Sequence, residues 1–148
     1  MNTRGAIGFL IACAFALAMI APVARADELD ETTQLTFSQP VRIPGNVVLP
    51  AGTYWFKLAD STANRNIVQV SDSNGSIIAT VLSQPTVRDE VTDHTVVTIA
   101  EGAPHQPDAL VKWFYPGEAT GHELLYSAPM ERQLSEENMI NVMAQPGA

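Results

Sequence analysis

Residues 66–82 read NIVQVSDSNGSIIATVL, and this stretch decides the fold class. Two runs rich in β-branched residues flank the turn residues Asp72-Ser73-Asn74-Gly75. Asn-Gly accepts the positive φ angles of a type I′ turn, so the stretch predicts a β-hairpin. Similar short apolar runs, separated by Pro, Gly, Asn or Asp, recur from residue 35 onward. Because no sustained helical periodicity occurs before the C-terminal tail, the spacing predicts an all-β protein.

The hairpin belongs to a predicted set of seven to nine strands between residues 34 and 128. In the clearest of the others, Thr53–Leu58, alternation places Tyr54 and Phe56 in the core and Trp55 on the outer face. The strands have no helices between them, which disfavours parallel βαβ units. We therefore expect a single-domain antiparallel β-sandwich, with a compact β-barrel as the alternative.

Further predictions concern the two ends of this domain. Residues 34–37 and 40–43 are expected to form one strand interrupted at Pro40, which cannot donate a ladder hydrogen bond. Residues 27–33 are polar and acidic and are expected to be a flexible leader. Residues 129–148 are expected to be a polar tail, either disordered or with a short helix over 136–143, since Ser135 can act as an N-cap.

The N-terminus has the three regions of a secretory signal peptide. Arg4 precedes an apolar run over residues 6–20, and Ala24-x-Ala26 offers a cleavage site. An uncleaved anchor is the alternative, but the acidic stretch after Ala26 favours cleavage, which leaves no membrane span. Lipid attachment at Cys13 is disfavoured, because the apolar run continues past it. Cleavage after Ala26 removes 26 residues, which include two arginines and the single cysteine but no acidic residue. The mature chain then has 122 residues and a net charge of −10, compared with 148 residues and −8 before cleavage. We expect an exported protein, periplasmic or secreted.

Composition and motifs argue against several functions. An acidic chain without a Lys/Arg cluster is a poor nucleic-acid binder, because phosphates require cationic neutralisation. No G-x-S-x-G motif occurs and the mature chain has no cysteine, so we assign no catalytic residue. His94, His105 and His122 are expected at the surface or in turns, and their spacing forms no metal-binding motif. We expect neither a metal nor a cofactor.

Two groups of residues are candidates for ligand contact. The first is a polar loop between two strands, although a loop that satisfies its own hydrogen bonds is the commoner meaning of such a sequence. The second is a set of aromatic residues that share an exposed face if Leu110 and Phe114 point inward, and that would stack on a sugar or a peptide. Alternatively, these aromatic side chains cover the second face of the sandwich. The candidates are Asp60, Asn64 and Arg65 in the loop, and Trp55, Trp113, Tyr115, Glu123 and Tyr126 in the second group.

A series of short motifs runs through most of the mature chain. The motifs are FSQP (37–40), IPG (43–45), LPAGTY (49–54), NRNIV (64–68), WFYPG (113–117) and GxExxY (121–126). As a set, they resemble a family of small exported bacterial β-domain proteins without an assigned activity. The resemblance covers about residues 33–127. It implies export and a single β-rich domain, and it carries over no catalytic residue.

These observations favour an exported, non-enzymatic domain that binds or scaffolds a protein or glycan partner in the cell envelope or outside the cell. Its negative charge favours cationic or neutral partners. One alternative is a small extracytoplasmic hydrolase that acts through acidic residues and a histidine. Another is a subunit of a larger envelope assembly that donates or receives a strand, which an uncovered strand edge would support.

Overall fold

The computed structural model describes residues 32–59 and 66–144. Within these residues the chain forms a ten-stranded sheet and one short helix, which confirms the all-β fold class. The count is one strand more than the largest number predicted. The elements are β1 (Thr32–Phe37), β2 (Val41–Ile43), β3 (Val47–Leu49), β4 (Gly52–Leu58), β5 (Ile67–Ser71), β6 (Ile77–Val87), β7 (Val96–Ala100), β8 (Asp108–Phe114), β9 (Thr120–Leu124), α1 (Ala128–Leu134) and β10 (Met139–Met143).

The hairpin that the sequence singled out is formed by β5 and β6. Gly75 has a φ of 78°, and its N–H donates to the carbonyl oxygen of Asp72 over 3.0 Å. The Asp72 carboxylate accepts hydrogen bonds from the backbone N–H groups of Asn74 and Ser76. This short polar side chain therefore fixes the turn, and the predicted hairpin is confirmed. The turn is not of the expected type I′, which needs a positive φ at both Asn74 and Gly75, because only Gly75 has one.

One long strand connects the two parts of the sheet. The first half of β6 pairs with β5, and its second half, Ser83–Val87, pairs with β9. We call β1, β4, β5 and the first half of β6 the A half of the sheet. The second half of β6 with the strands β9, β8, β7, β10, β2 and β3 is the B half. All pairings are antiparallel except that of β2 with β8, which is parallel.

Side chains of the two halves meet in one apolar core. Phe56 of the A half and Trp113 of the B half, both fully buried, place their ring centroids 6.0 Å apart at an interplanar angle of 65°. The Trp113 Nε1–H also donates to the Thr33 hydroxyl over 3.1 Å. This bond matters because an indole N–H that is buried without a partner would destabilise the fold. The predicted alternation of β4 is confirmed, with Tyr54 buried and Trp55 half-buried on the other face.

The beginning of the domain differs from the prediction in two ways. Residues 34–37 and 41–43 do not form one interrupted strand. They belong to β1 in the A half and to β2 in the B half, with Pro40 between them. Proline cannot donate to a ladder, and here it marks the point at which the chain changes sheet half. The predicted leader also ends earlier, since Thr32 and Thr33 are part of β1. The signal peptide and the remaining leader lie outside the described residues.

The tail forms a helix followed by a strand. The predicted helix over 136–143 is wrong, because α1 ends at Leu134 and residues 139–143 form β10, which pairs with β7 along its whole length. Pro129 lies in the first turn of α1, where its fixed φ suits a helix start. The buried Leu134 of α1 packs on the outer face of β7 and β8 with Ala109 and Val111. Pairing with β7 thus outweighs the weak helix-start signal at Ser135.

Candidate functional site

The predicted aromatic patch does not form, because Trp113 is in the core rather than on the surface. Its relative exposure is 0%. The register of β8 against β7 shifts between Thr98 and Ile99, which leaves Val111 as an extra residue on β8. A bulge of this kind inverts the alternation of side chains, so Leu110 and Trp113 face the same core although they are three residues apart. The expectation that Trp113 lies opposite Leu110 is therefore wrong.

Trp113 instead forms the base of a ring cluster with Tyr115 and His122. The ring of Trp113 lies 4.9 Å from that of Tyr115 and 5.3 Å from that of His122, measured between centroids. The Nδ1 atom of His122 is buried without a hydrogen-bond partner in the described part of the chain. Burial lowers the pKa of His122 below its ordinary value of 6.5. His122 is therefore a half-buried residue of β9, not the surface or turn residue that we expected.

The other candidate residues are spread over the molecule. The Tyr126 hydroxyl is directed at two backbone oxygens, 2.7 Å from that of Leu110 and 3.1 Å from that of Arg42, and burial raises the pKa of Tyr126. The Tyr126 hydroxyl therefore bridges the backbones of β2 and β8 and is not directed at a ligand site. Glu123 accepts a hydrogen bond from Gln84 at the surface. Trp55 lies on the outer face of the A half, and the loop residues Asp60, Asn64 and Arg65 lie outside the described residues.

The described residues contain one close pair of the type that the hydrolase hypothesis needs. His94 Nδ1 lies 2.9 Å from Asp93 Oδ1. Both side chains are exposed, at 53% and 89%. Three clefts lie among the described residues, one between β1 and β10, one beside Arg88 and Phe114, and one beside Val48 and His105, and neither side chain lines any of them. A general base needs a partner and a substrate held in a cleft, which this pair of sequence neighbours does not offer. Within residues 32–59 and 66–144, no group of three His, Cys, Asp or Glu residues could hold a metal ion.

The cleft between β1 and β10 is mainly apolar and has a volume of about 400 Å³. It opens between β1 on one side and β7 and β10 on the other. Its floor consists of buried core residues, and its rim includes the exposed Val142 and Met143. The apolar lining comprises Leu35, Phe37, Val41, Val97, Ile99, Ile140, Val142, Met143 and Ala144. Sequence reasoning missed this site, although the β-branched residues Ile140 and Val142 in MINVM (139–143) are a signal that would have indicated β10.

The cleft is bordered by two strands that each lack a ladder neighbour on one side. Among the described strands, β1 pairs only with β4, and β10 pairs only with β7. The backbone N–H and C=O groups of such an edge are available to another extended chain. β10 runs in the direction of β8, since both are antiparallel to β7. β1 runs the opposite way, from Thr33 beside Trp113 towards Val41, which pairs with Asp108.

Comparisons with known proteins found no match for this chain, whether with protein-family models, curated proteins or solved structures. The resemblance to a family of exported β-domain proteins therefore stays a prediction from the motifs. In the described part of the chain, no helix has the length and apolar character needed to cross a bilayer.

Proposed function

We propose that this protein is an exported, non-enzymatic binding domain that holds an extended segment of a partner protein in the cleft between β1 and β10. The observation that carries the proposal is the conjunction of an apolar cleft with two strand edges that border it. An extended peptide satisfies both, because its backbone pairs with an edge while alternate side chains enter the cleft. The role is that of a scaffold in the cell envelope or outside the cell.

The lining of the cleft supports a peptide over a glycan. The cleft walls are mainly aliphatic, whereas sugar rings stack best on exposed aromatic faces. Trp113, the aromatic residue on which a glycan site depended, is fully buried. A valine or isoleucine side chain that moves from water into such a cleft gains up to roughly 1.5–3 kcal/mol. Two such anchors would offset much of the cost of ordering a short peptide.

The proposal is tested with a pool of synthetic peptides of about ten residues, the length of a long strand. Apolar residues alternate with threonine in the pool, and each end carries a neutral Ser-Gly flank. Binding is followed by fluorescence polarisation and by amide chemical shifts of the protein. We expect the largest shift changes in β1 and β10, and a peptide with proline at alternate positions should not bind.

A pair of matched variants locates the binding surface. Val142→Gln places an amide at the rim of the cleft, and Val87→Gln makes the same change on β6, outside the three clefts. Both valines are exposed, at 42% and 73%, so both variants should fold. Val142→Gln should weaken binding about threefold to tenfold, from the lost apolar burial. Absence of binding by the whole pool, or an equal loss in both variants, would contradict the proposal.

A further inference from the structure

We infer that the segment held in the cleft carries a basic residue at one end of its apolar stretch, and that this residue sets the direction in which the segment lies. The inference rests on the proposed function and adds the chemistry of the partner. It follows from the carboxylate of Asp108, which lies at one end of the cleft and is the only charged group among the described residues that line it.

The strand register defines the two ends of the cleft. β7 begins beside Met143 of β10 and ends beside Ala109 of β8. Asp108 directly precedes Ala109 and pairs with Val41, the first residue of β2. Met143 and Asp108 both line the cleft, so they mark its opposite ends along β7.

Asp108 presents a half-buried carboxylate beside the apolar core. Alternation at the start of β8 places its side chain on the same face of the sheet as the buried Leu110. Its Oδ1 atom accepts a hydrogen bond from the backbone N–H of Gly102 over 2.9 Å, and its Oδ2 atom has no hydrogen-bond partner within residues 32–59 and 66–144. Such a carboxylate attracts an ammonium or guanidinium group more strongly than one in bulk water, because the local dielectric is lower.

The nearest arginine along β2 does not neutralise this carboxylate. One terminal nitrogen of Arg42 donates to Oε1 of Gln106 over 3.2 Å, and the other donates to Sδ of Met130 over 3.5 Å. Met130 belongs to α1, which packs on the outer face of β7 and β8, whereas the cleft lies on their inner face. In the part of the chain that the structure describes, Asp108 forms no ion pair. Its charge is therefore available to a partner.

The Met143 end of the cleft offers no comparable charge. Two acids, Asp89 and Glu90, lie near this end of β10. They line the cleft beside Arg88 and Phe114 instead. That cleft opens on the opposite face of β7 and β10, since its residues on these strands alternate with those of the apolar cleft. The apolar cleft is therefore charged at one end and uncharged at the other.

This asymmetry selects a direction that backbone pairing leaves open. β1 and β10 run in opposite directions, so an inserted strand is antiparallel to one of them whichever way it lies. Antiparallel pairs are only slightly more stable per residue than parallel ones, so the strand edges discriminate little between the two directions. A lysine or arginine discriminates more, because its charge is attracted to Asp108 at one end and meets only uncharged lining at the other.

The affinities of four peptide pools test the charge requirement. Each is a version of the alternating pool, acetylated and amidated at its ends, with one lysine in the N-terminal flank, in the C-terminal flank, in both flanks or in neither. Each single-lysine pool should bind about threefold more tightly than the neutral pool, as one partly exposed charge pair provides. A second lysine should add little. The gain should shrink in about 1 M salt, where screening acts over about 3 Å.

A nitroxide label placed beside the lysine reports the direction of the bound peptide, because its unpaired electron broadens the amide signals of nearby residues. In both single-lysine pools the label should broaden the signal of Gly102, which contacts Asp108, much more than that of Ala144, which follows Met143. The same pattern with lysine and label at either flank means that the peptide reverses its direction to bring the lysine to Asp108.

Two matched variants separate Asp108 from the overall negative charge. Asp108→Asn removes the charge and keeps an acceptor oxygen for the N–H of Gly102. Asp89→Asn makes the same chemical change in the cleft on the opposite face. Asp108→Asn should abolish the lysine preference without changing the affinity of the neutral pool, whereas Asp89→Asn should leave the preference in place. Thermal melting shows whether both variants fold like the parent protein.

The outcomes distinguish this inference from the proposed function. If the neutral pool binds and the lysine pools bind no more tightly, the inference fails and the proposed function stands. The inference also fails if Asp89→Asn reduces the lysine preference as much as Asp108→Asn does, if the second lysine adds as much as the first, or if the label broadens Ala144 as strongly as Gly102. If no pool binds, the proposed function fails and the inference fails with it.

Discussion

The substitution Trp113→Phe tests whether the two halves of the sheet are held together as described. It removes the indole Nε1–H that donates to Thr33 and the larger of two rings that meet in the core. The smaller ring leaves a void of about 40 Å³, which costs about 1 kcal/mol at 24 cal/mol per Å³. The unpaired Thr33 hydroxyl, buried at 7% exposure, adds about 1–2 kcal/mol. The free energy of unfolding should therefore fall by about 2–3 kcal/mol in total.

Urea unfolding followed by circular dichroism measures this change, with Trp55→Phe as the matched control. Trp55 is half-buried on the outer face of β4, so its replacement should cost less than about 1 kcal/mol. Thr33→Val removes the hydroxyl acceptor while nearly preserving its volume. The cycle of Trp113→Phe and Thr33→Val should give a coupling energy of about 1 kcal/mol. Equal costs for the two tryptophan substitutions, or a coupling energy near zero, would refute the assignment of Trp113 as the central contact.

Three further predictions concern other sites. Gly121→Ala should prevent folding or lower the free energy of unfolding by more than about 3 kcal/mol, because a Cβ atom there would clash with the backbone oxygen of Trp113 and with the Phe114 ring. The expression yield and the thermal melting of this variant check it. Burial lowers the pKa of His122, so the unfolded chain binds the proton at a higher pH than the folded protein does. The free energy of unfolding should therefore be unaffected by this histidine above pH 6.5 and should fall below it, by at most about 1.4 kcal/mol per pH unit. Thermal melts at several pH values should show this decline in the parent protein and less of it in His122→Gln. The exported protein should begin at Asp27, and an intact mass that includes residues 1–26 or a lipid on Cys13 would contradict the signal-peptide prediction.

The strands were the most predictable part of this fold. The β5–β6 hairpin and the alternation of Thr53–Leu58 depend on neighbouring residues only, and both were predicted correctly, although the turn of the hairpin is not of the predicted type I′. The tail was not, because two β-branched residues, Ile140 and Val142, are too short a signal on their own, and β10 forms through pairing with β7, nearly 40 residues earlier in the chain. Such tertiary stabilisation leaves only a weak trace in the local sequence.

The candidate site was predictable to a much smaller extent. Trp113 was assigned to the surface because strict alternation of side chains was assumed along β8. No residue type near Val111 predicts the bulge that interrupts this alternation. The apolar cleft depends on β1 and β10, which come from opposite ends of the domain. A cleft between distant edges requires knowledge of the strand order, which composition and spacing do not provide.

The strand β6 has a consequence for how this protein loses its structure. Its first half belongs to the A half of the sheet and its second half to the B half, without an interruption in the chain. The two halves also bury their side chains in one core, so the melting of either half would expose the core face of the other, and the domain should behave as a single cooperative unit. Backbone amides of β6 that are hydrogen-bonded to β5 or β9 should exchange with solvent more slowly than those of β10, which can exchange by local fraying. A partner strand seated beside β10 would then protect the weakest margin of the domain and slow its degradation by proteases.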